Sequence, residues 1–327
     1  MKTSDPIFIA TRGSALALAQ ANLVLDQCRA AFPDLRFELK IVKTTGDKLQ
    51  TASLAQEGSK LPKGLFTKEL EIALLEHQAD MAVHSLKDLP TEIPVGLKLG
   101  AVGERADVRD VLIYRDASSL GQSEHRGFSP GLAIKDLPEG AVVATSSTRR
   151  KAQLLVQNPG LSVPDIRGNV VTRLQKVAER AELDATLLAL AGLQRLNFQI
   201  GSENRLQGEG VPKGLLARVL DTDVMLPCVG QGAVGIEVRE GDERIAAICG
   251  RLNHFNTRQC VTAERAFLAA MGGGCQSPVA AHAEVVDNHL QMRAQSFTHG
   301  PVRQAQGKRP INEPVELGQE LAAALKV

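Results

Sequence analysis

Three stretches of this chain repeat one design: a short apolar run ends in a turn, and an arginine sits at the start of the helix that follows. Residues 7–11 lead into Arg12-Gly13-Ser14, and residues 141–145 lead through Ser146-Ser147-Thr148 into Arg149-Arg150-Lys151. Residues 163–166 lead into Arg167-Gly168-Asn169, ahead of a helix over 170–180 that carries Arg173 and Lys176. Strand-length apolar runs alternating with helical periodicity specify an α/β fold. At the strand ends of such a fold, helix starts present unpaired backbone amides to anions. Cations in a first helical turn oppose the helix dipole by roughly 0.3–1 kcal/mol. Arg149, Arg150 and Lys151 therefore imply an anionic partner. Three such sites together imply a cleft that binds several carboxylates or phosphates.

The remaining segments fit the same scheme. Ser14 is a predicted N-cap for a helix with Leu18, Ala21, Leu25, Cys28 and Phe32 on its inner face. Residues 36–42 alternate as a strand, and a helix from Thr67 turns Leu70, Ala73, Leu74 and His77 inward. Strands are expected at 80–83, 97–102 and 111–114, with the charged run 103–110 as a crossover, and at 184–191, closed by Gly192. Residues 115–139, rich in Ser, Gly and Pro, read as a surface loop.

From residue 224 the chain returns to the first unit through MLPCVGQGAVGIEV, which lacks the Lys-Ser/Thr of a phosphate loop. Helices at 242–252 and 262–271, a hairpin about Asp287-Asn288 and a helix from 315 form a third unit. The expected division is 1–104 with 224–240, then 105–223, then 241–327.

The densest chemistry lies in VHSLKDLP, residues 83–90, where Ser85, Lys87 and Asp88 leave the carboxyl end of a buried strand. Alone, Lys87 beside Asp88 reads first as the solvated ion pair usual in a surface loop, and other stretches of the chain overturn that reading. Cys275 follows Gly272, Gly273 and Gly274, which strip away the side chains that would bury its thiol. With 38 basic and 37 acidic residues, the net charge of +1 provides no field for nucleic acid or an anionic membrane. The five cysteines have no paired or zinc-ligand spacing, so no disulfide framework and no metal are expected. The N-terminus lacks a secretory pattern, and no apolar run approaches the ~18 residues of a membrane span. A cytoplasmic protein is the consistent expectation. An arginine-lined cleft between two lobes suits a solute-binding module as well as an enzyme.

These residues stand in order within ATRGSALALAQA, KTTGDK, GLFTKELE, ADMAVHSLKDLPT, ATSSTRRKAQLL, IRGNVVTRL, LALAGLQRL, LPCVGQGAVGIE, TAERAFL and GGGCQSP. In them the chain closely resembles the hydroxymethylbilane synthases, also called porphobilinogen deaminases, over roughly residues 5 to 285. The resemblance implies three domains: two α/β lobes like those of type II periplasmic binding proteins with a cleft between them, and a smaller C-terminal α+β domain. It implies a transferase that condenses four porphobilinogen molecules with loss of ammonia, then releases linear hydroxymethylbilane by hydrolysis. The chain would grow on a dipyrromethane primer joined by thioether to Cys275. Asp88 matches the catalytic carboxylate, expected to be buried beside the reacting pyrrole. Ser85, Lys87, Asp88, Thr145, Ser147, Arg149 and Arg150 match residues that hold the primer. Arg12, Ser14, Arg167, Arg173, Phe66 and Lys63 match those that grip the incoming ring and the growing chain. Extra residues in GSKLPKGLF leave Lys60 and Lys63 both available as the flap lysine. A monomer acting on porphobilinogen, without nucleic acid or membrane, completes the expectation.

Overall fold

The computed structural model describes residues 5–45, 67–120, 125–274, 277–298 and 300–326. The first part of the chain gives β1 (Ile7–Arg12), α1 (Ala15–Ala31), β2 (Phe37–Val42), α2 (Lys68–Leu75), β3 (Met81–Ser85) and β4 (Leu97–Val102). The second gives β5 (Asp110–Arg115), β6 (Val143–Ala144), α3 (Thr148–Gln157), α4 (Val170–Glu179), β7 (Ala185–Ala189) and α5 (Leu190–Arg195). A short ribbon of β8 (Gln199–Ile200) and β9 (Leu206–Gln207) precedes β10 (Leu215–Leu220). The last part gives β11 (Val234–Arg239), α6 (Glu243–Leu252), α7 (Phe255–Ala270), β12 (Val279–Val286), β13 (His289–Ser296), β14 (Arg303–Pro310) and α8 (Pro314–Lys326).

Besides that two-stranded ribbon, the described residues form three sheets. The first, β2-β1-β3-β11-β4, is parallel among β1, β2 and β3, whereas β11 runs antiparallel between β3 and β4. Its two faces are both covered. Ile7, Ile9, Met81 and Val83 pack under Ala21, Val24 and Leu25 of α1, while Ala10 and Ala82 meet Leu70, Ala73 and Leu74 of α2. Each fully buried Leu, Ile or Val contributes roughly 1.5–3 kcal/mol. The second sheet, β10-β5-β7-β6, has its own core, and the third, β12-β13-β14, packs against α7 and α8.

The expected architecture of two α/β lobes and a smaller α+β unit is present, with local differences that have physical causes. α6 was expected in the third unit, yet Ile245, Ile248 and Cys249 join the core of the first sheet. α7 starts at Phe255 rather than at 262, and β14, too polar to read as a strand, pairs along β13. Residues 163–166 form no strand because Pro164 has no N–H to give to a ladder; Thr145 N–H donates to Pro164 O at 2.8 Å, and Ile166 N–H is spent on the Ser146 side chain, donating to its Oγ at 3.1 Å. Gly192 does not close β7 but lies inside α5, where a Cβ would stand 3.8 Å from Leu16 of α1. His77 is exposed because α2 ends before it, and its φ of 57° turns the chain back so that Ala79 N–H reaches Ala73 O at 3.0 Å. Residues 115–139 are only partly a surface loop: Ile134 and Leu137 are buried, and Phe128 packs edge-on to Tyr114 at 6.1 Å. The hairpin turns at Asp287 and Asn288, both at positive φ, as a two-residue turn requires.

The crossover 103–109 and the returning segment 226–233 are fastened to α7 by one carboxylate. Glu264, fully buried, takes Arg105 through two bonds of 2.7 and 3.0 Å and accepts from Gly230 N–H and Ala283 N–H, both at 2.8 Å. Burial opposes the Arg105 charge, but Glu264 outweighs it and holds the guanidinium above its ordinary pKa. The crossover, the returning segment and the third unit meet at this ion pair.

Candidate active site

β3 delivers VHSLKDLP to the edge of the cleft. His84 faces Glu237 of β11 at 3.0 Å in a buried pair, and Ser85 Oγ exchanges two hydrogen bonds with the Gln20 side-chain amide at 2.9 and 3.1 Å. The chain then makes one 3₁₀ turn, Leu86–Asp88. Leu86 takes the buried position, its N–H bonded to Ala233 O at 3.0 Å, which turns Lys87 and Asp88 toward the cleft. Asp88 is exposed rather than buried as expected, since the turn spends its one inward position on Leu86.

Asp88 is the wall between two cavities. The larger, about 240 Å³, is lined by Lys87, Asp88, Ser146, Ser147, Arg149, Arg150, Arg173, Gln231 and residues of the third unit including Leu268 and Gly274. The smaller, about 60 Å³, is lined by Arg12, Ser14, Gln20, His84, Ser85 and Asp88 among others. Most expected site residues are thus brought together. Ser85 falls in the smaller cavity, which of the other residues expected to hold the primer only Asp88 also lines, and Arg173 falls in the larger. Thr145 stands behind the wall, buried, its Oγ1 accepting from Ser147 N–H at 3.2 Å. Arg167 is exposed and lines neither cavity, although its charge is felt by Arg173. Phe66, Lys60, Lys63 and Cys275 lie outside the described residues; Gly274, which precedes Cys275 in sequence, lines the larger cavity.

The helix starts are built as their sequences require. Ser14, Ser147 and Asn169 accept from Ala17, Arg150 and Thr172 N–H respectively. The anion demanded by Arg149 and Arg150 is partly internal, and it is Asp110 at the start of β5. Its Oδ2 is 2.8 Å from Arg149 Nη2, and its Oδ1 is 2.6 Å from Arg150 Nη2 and 3.0 Å from Gln231 Nε2. Burial alone would raise its pKa, but the two guanidinium groups overcome this and hold it well below the carboxylate range. Local pattern gave no sign of this 40-residue link. A usable signal was there: an acid that opens the otherwise apolar run VLIY must be buried with a partner.

Two arginines against one aspartate leave the wall positive. Arg149 Nη1 also donates to Leu226 O at 2.7 Å, while its buried Nε has no partner. Arg173 is pushed down to about 10, by burial first and then by Arg150 and Arg167, with Asp88 acting in the opposite sense. A guanidinium whose charge is disfavoured by burial and by neighbouring cations, and an unpartnered Nε, mark a surface that an acidic ligand would stabilise. The donor set, cationic and without metal-ligating clusters among the described residues, fits a group bearing several carboxylates. Of the cysteines, burial pushes Cys28 and Cys260 up to about 12 and Cys249 up to about 11. Such thiols are poor nucleophiles at neutral pH. Cys228 is half-buried at the larger cavity, with Sγ donating to Gln231 Oε1 at 3.4 Å.

Comparison with known proteins agrees with this chemistry. Curated relatives named porphobilinogen deaminase include those of Gloeobacter violaceus, 44% identical over 99% of this chain and 91% of its own, and Desulforudis audaxviator, 43% identical over 98% and 94%. Among solved structures, the BenM effector binding domain with benzoate covers 76% of this chain and 90% of its own at 19% identity, with a TM-score of 0.40, too low to carry an argument. No helix among the described residues is long and apolar enough to cross a membrane. Residues 7–247 match the porphobilinogen deaminase dipyrromethane cofactor binding domain and residues 258–327 its C-terminal domain, so the chain belongs to the porphobilinogen deaminase family.

Proposed function

We propose that the two cavities meeting at Asp88 are the two halves of one polymerisation site: the larger holds the anchored primer and the product chain, and the smaller receives porphobilinogen. The observation that carries this reading is that Asp88 lines both. Bound dipyrromethane would supply an acceptor pyrrole carbon, tethered through sulfur to Cys275. Lys87, Ser147, Arg149, Arg150 and Arg173 would hold its carboxylates, with the unpartnered Arg149 Nε as one available donor. Arg12 and Ser14 would orient the incoming ring by its acid arms, and Arg167 and the residues outside the described set, Phe66 and Lys63, would complete the grip.

Loss of ammonia leaves positive charge over the substrate's pyrrole nitrogen, and a ring-carbon proton must leave after the C–C bond forms. A carboxylate at the shared wall stabilises the first event and accepts or relays the proton in the second. The surrounding cations bind the acid arms. They also disfavour positive charge on the pyrrole system wherever Asp88 does not face it, which would confine reaction to one position. We include in this reading a cytoplasmic monomer that uses no nucleic acid; the net charge of +1 and the free buried thiols are its support.

Intact mass tests the anchor. The purified chain should be heavier than its sequence by two linked pyrrole rings, Cys275→Ser should lose that mass, and Cys228→Ala should keep it. Retention in Cys275→Ser and loss in Cys228→Ala would move the tether to the half-buried thiol of the larger cavity.

A further inference from the structure

Beside the returning segment 226–233, α7 holds the turn that carries Asp88, and it does so along one stripe. Val261, Arg265 and Leu268 recur at the spacing that places residues on a common helical face. Val261 is fully buried in a cluster with Leu86 and Leu89, the apolar residues on either side of Lys87 and Asp88. Arg265 donates to three successive carbonyls, Leu89 O at 3.0 Å, Pro90 O at 2.6 Å and Thr91 O at 3.4 Å. Leu268 reaches the larger cavity itself. On the other side of the turn, the returning segment leaves no slack, since a Cβ on Gly230 would come within 3.2 Å of Lys87 N. Pro90 can donate no backbone hydrogen bond, and Leu89 N–H is spent inside the turn on Leu86 O at 3.2 Å, while the carbonyls of 89–91 take their donors from Arg265. A planar guanidinium with five N–H donors can meet several converging carbonyls at once, whereas an ammonium is a point donor.

We propose that Arg265 is a positioning residue for Asp88. It lines neither cavity, and acts by fixing the backbone that leaves the Asp88 turn relative to the third unit, whose Leu268, Gly274, Ser277 and Val279 form part of the larger cavity. The carboxylate and the third unit's side of the cleft are thereby held at one separation. The proposal rests on the role given to Asp88 above.

The test uses primer-loaded full-length protein carrying Arg265→Met or Arg265→Lys, each alone and combined with Asp88→Glu. Misplacement of a reacting group by about 1 Å costs on the order of 10²-fold in rate. Arg265→Met should therefore lower kcat by about that factor while KM for porphobilinogen stays within roughly twofold. Arg265→Lys, which keeps the charge and the stem, should recover part of the loss and guards against a Met variant that folds badly. Intact mass should show the primer in both. In the Asp88→Glu background, where the carboxylate is already displaced, Arg265→Met should cost far less than in the parent.

Undiminished kcat in a folded Arg265→Met protein would overturn the proposal. So would equal losses in the two backgrounds, which mark a general structural effect, or a loss that intact mass traces to missing primer. Full activity of Asp88→Glu paired with Asp88→Asn would instead remove the role of Asp88 itself, a different failure from the other three.

Discussion

The two cavities on either side of Asp88 are built to different specifications. The larger, about 240 Å³, is lined by four cations, Lys87, Arg149, Arg150 and Arg173, whereas in the smaller, about 60 Å³, Arg12 is the cation among the lining residues. In the larger the positive wall is locked from behind, because Asp110 pins Arg149 and Arg150 before any ligand arrives. In the smaller, Ser14 and Ser85 supply hydroxyls fixed by a helix start and by Gln20. The contrast shows how one carboxylate can serve two acid loads. A rigid, multiply charged surface suits a chain with many acid arms, and a lightly charged one suits a single ring that must enter and react.

The greatest predicted disturbance comes from removing the lock. Asp110→Asn leaves two guanidinium groups buried against a neutral amide and should destabilise the protein by roughly 3–5 kcal/mol, measured by denaturant unfolding. The same pair predicts a pH dependence. The native Asp110 pKa lies below the unfolded value of about 3.9, so its stabilisation is complete above that value and is lost as pH falls through the depressed native one. Acid unfolding of Asp110→Asn should accordingly be the shallower of the two. An unchanged midpoint at neutral pH would mean that the positive wall does not depend on its lock.

The next test separates the cavities. Hydrogen bonds to charged groups contribute about 1.5–3 kcal/mol, so Arg12→Ala should raise KM for porphobilinogen by about tenfold or more while intact mass shows the primer in place. Arg173→Ala should act the other way, reducing the fraction of protein that carries primer with a smaller effect on KM of the loaded fraction. Identical phenotypes would merge the two cavities into one undivided site. A smaller effect is expected at Ser14, which caps α1 as well as lining the smaller cavity. Ser14→Ala should cost about 1 kcal/mol of stability, and a loss well above that would show that the hydroxyl does more than cap.

What could be read from sequence was what is local. The cap at Ser14 follows from one residue and the helix behind it, and the strands of the first sheet follow from runs of apolar residues bounded by turns. Even the demand for an anion near Arg149 and Arg150 could be read from their place in a first turn. Its identity could not, because Asp110 lies about 40 residues away across a sheet whose order the sequence does not state. The same holds for α6, whose amphipathic face would suit either core, and for Arg265, whose carbonyl partners stand more than 170 residues earlier. Asp88 was recognisable as chemistry but not as exposed, since which residue of a 3₁₀ turn points inward depends on the neighbours that receive Leu86. His77 failed for the opposite reason: helical spacing was extended past a helix that had already ended.

The claim that one carboxylate serves both cavities is tested most directly by the turnover of primer-loaded Asp88→Asn. Because Asp88 is exposed, the substitution should leave unfolding stability within about 0.5 kcal/mol of the parent. Turnover of porphobilinogen should fall by roughly 10²–10⁴-fold. A stably folded, primer-bearing Asp88→Asn protein that turns over at the parental rate would contradict the account.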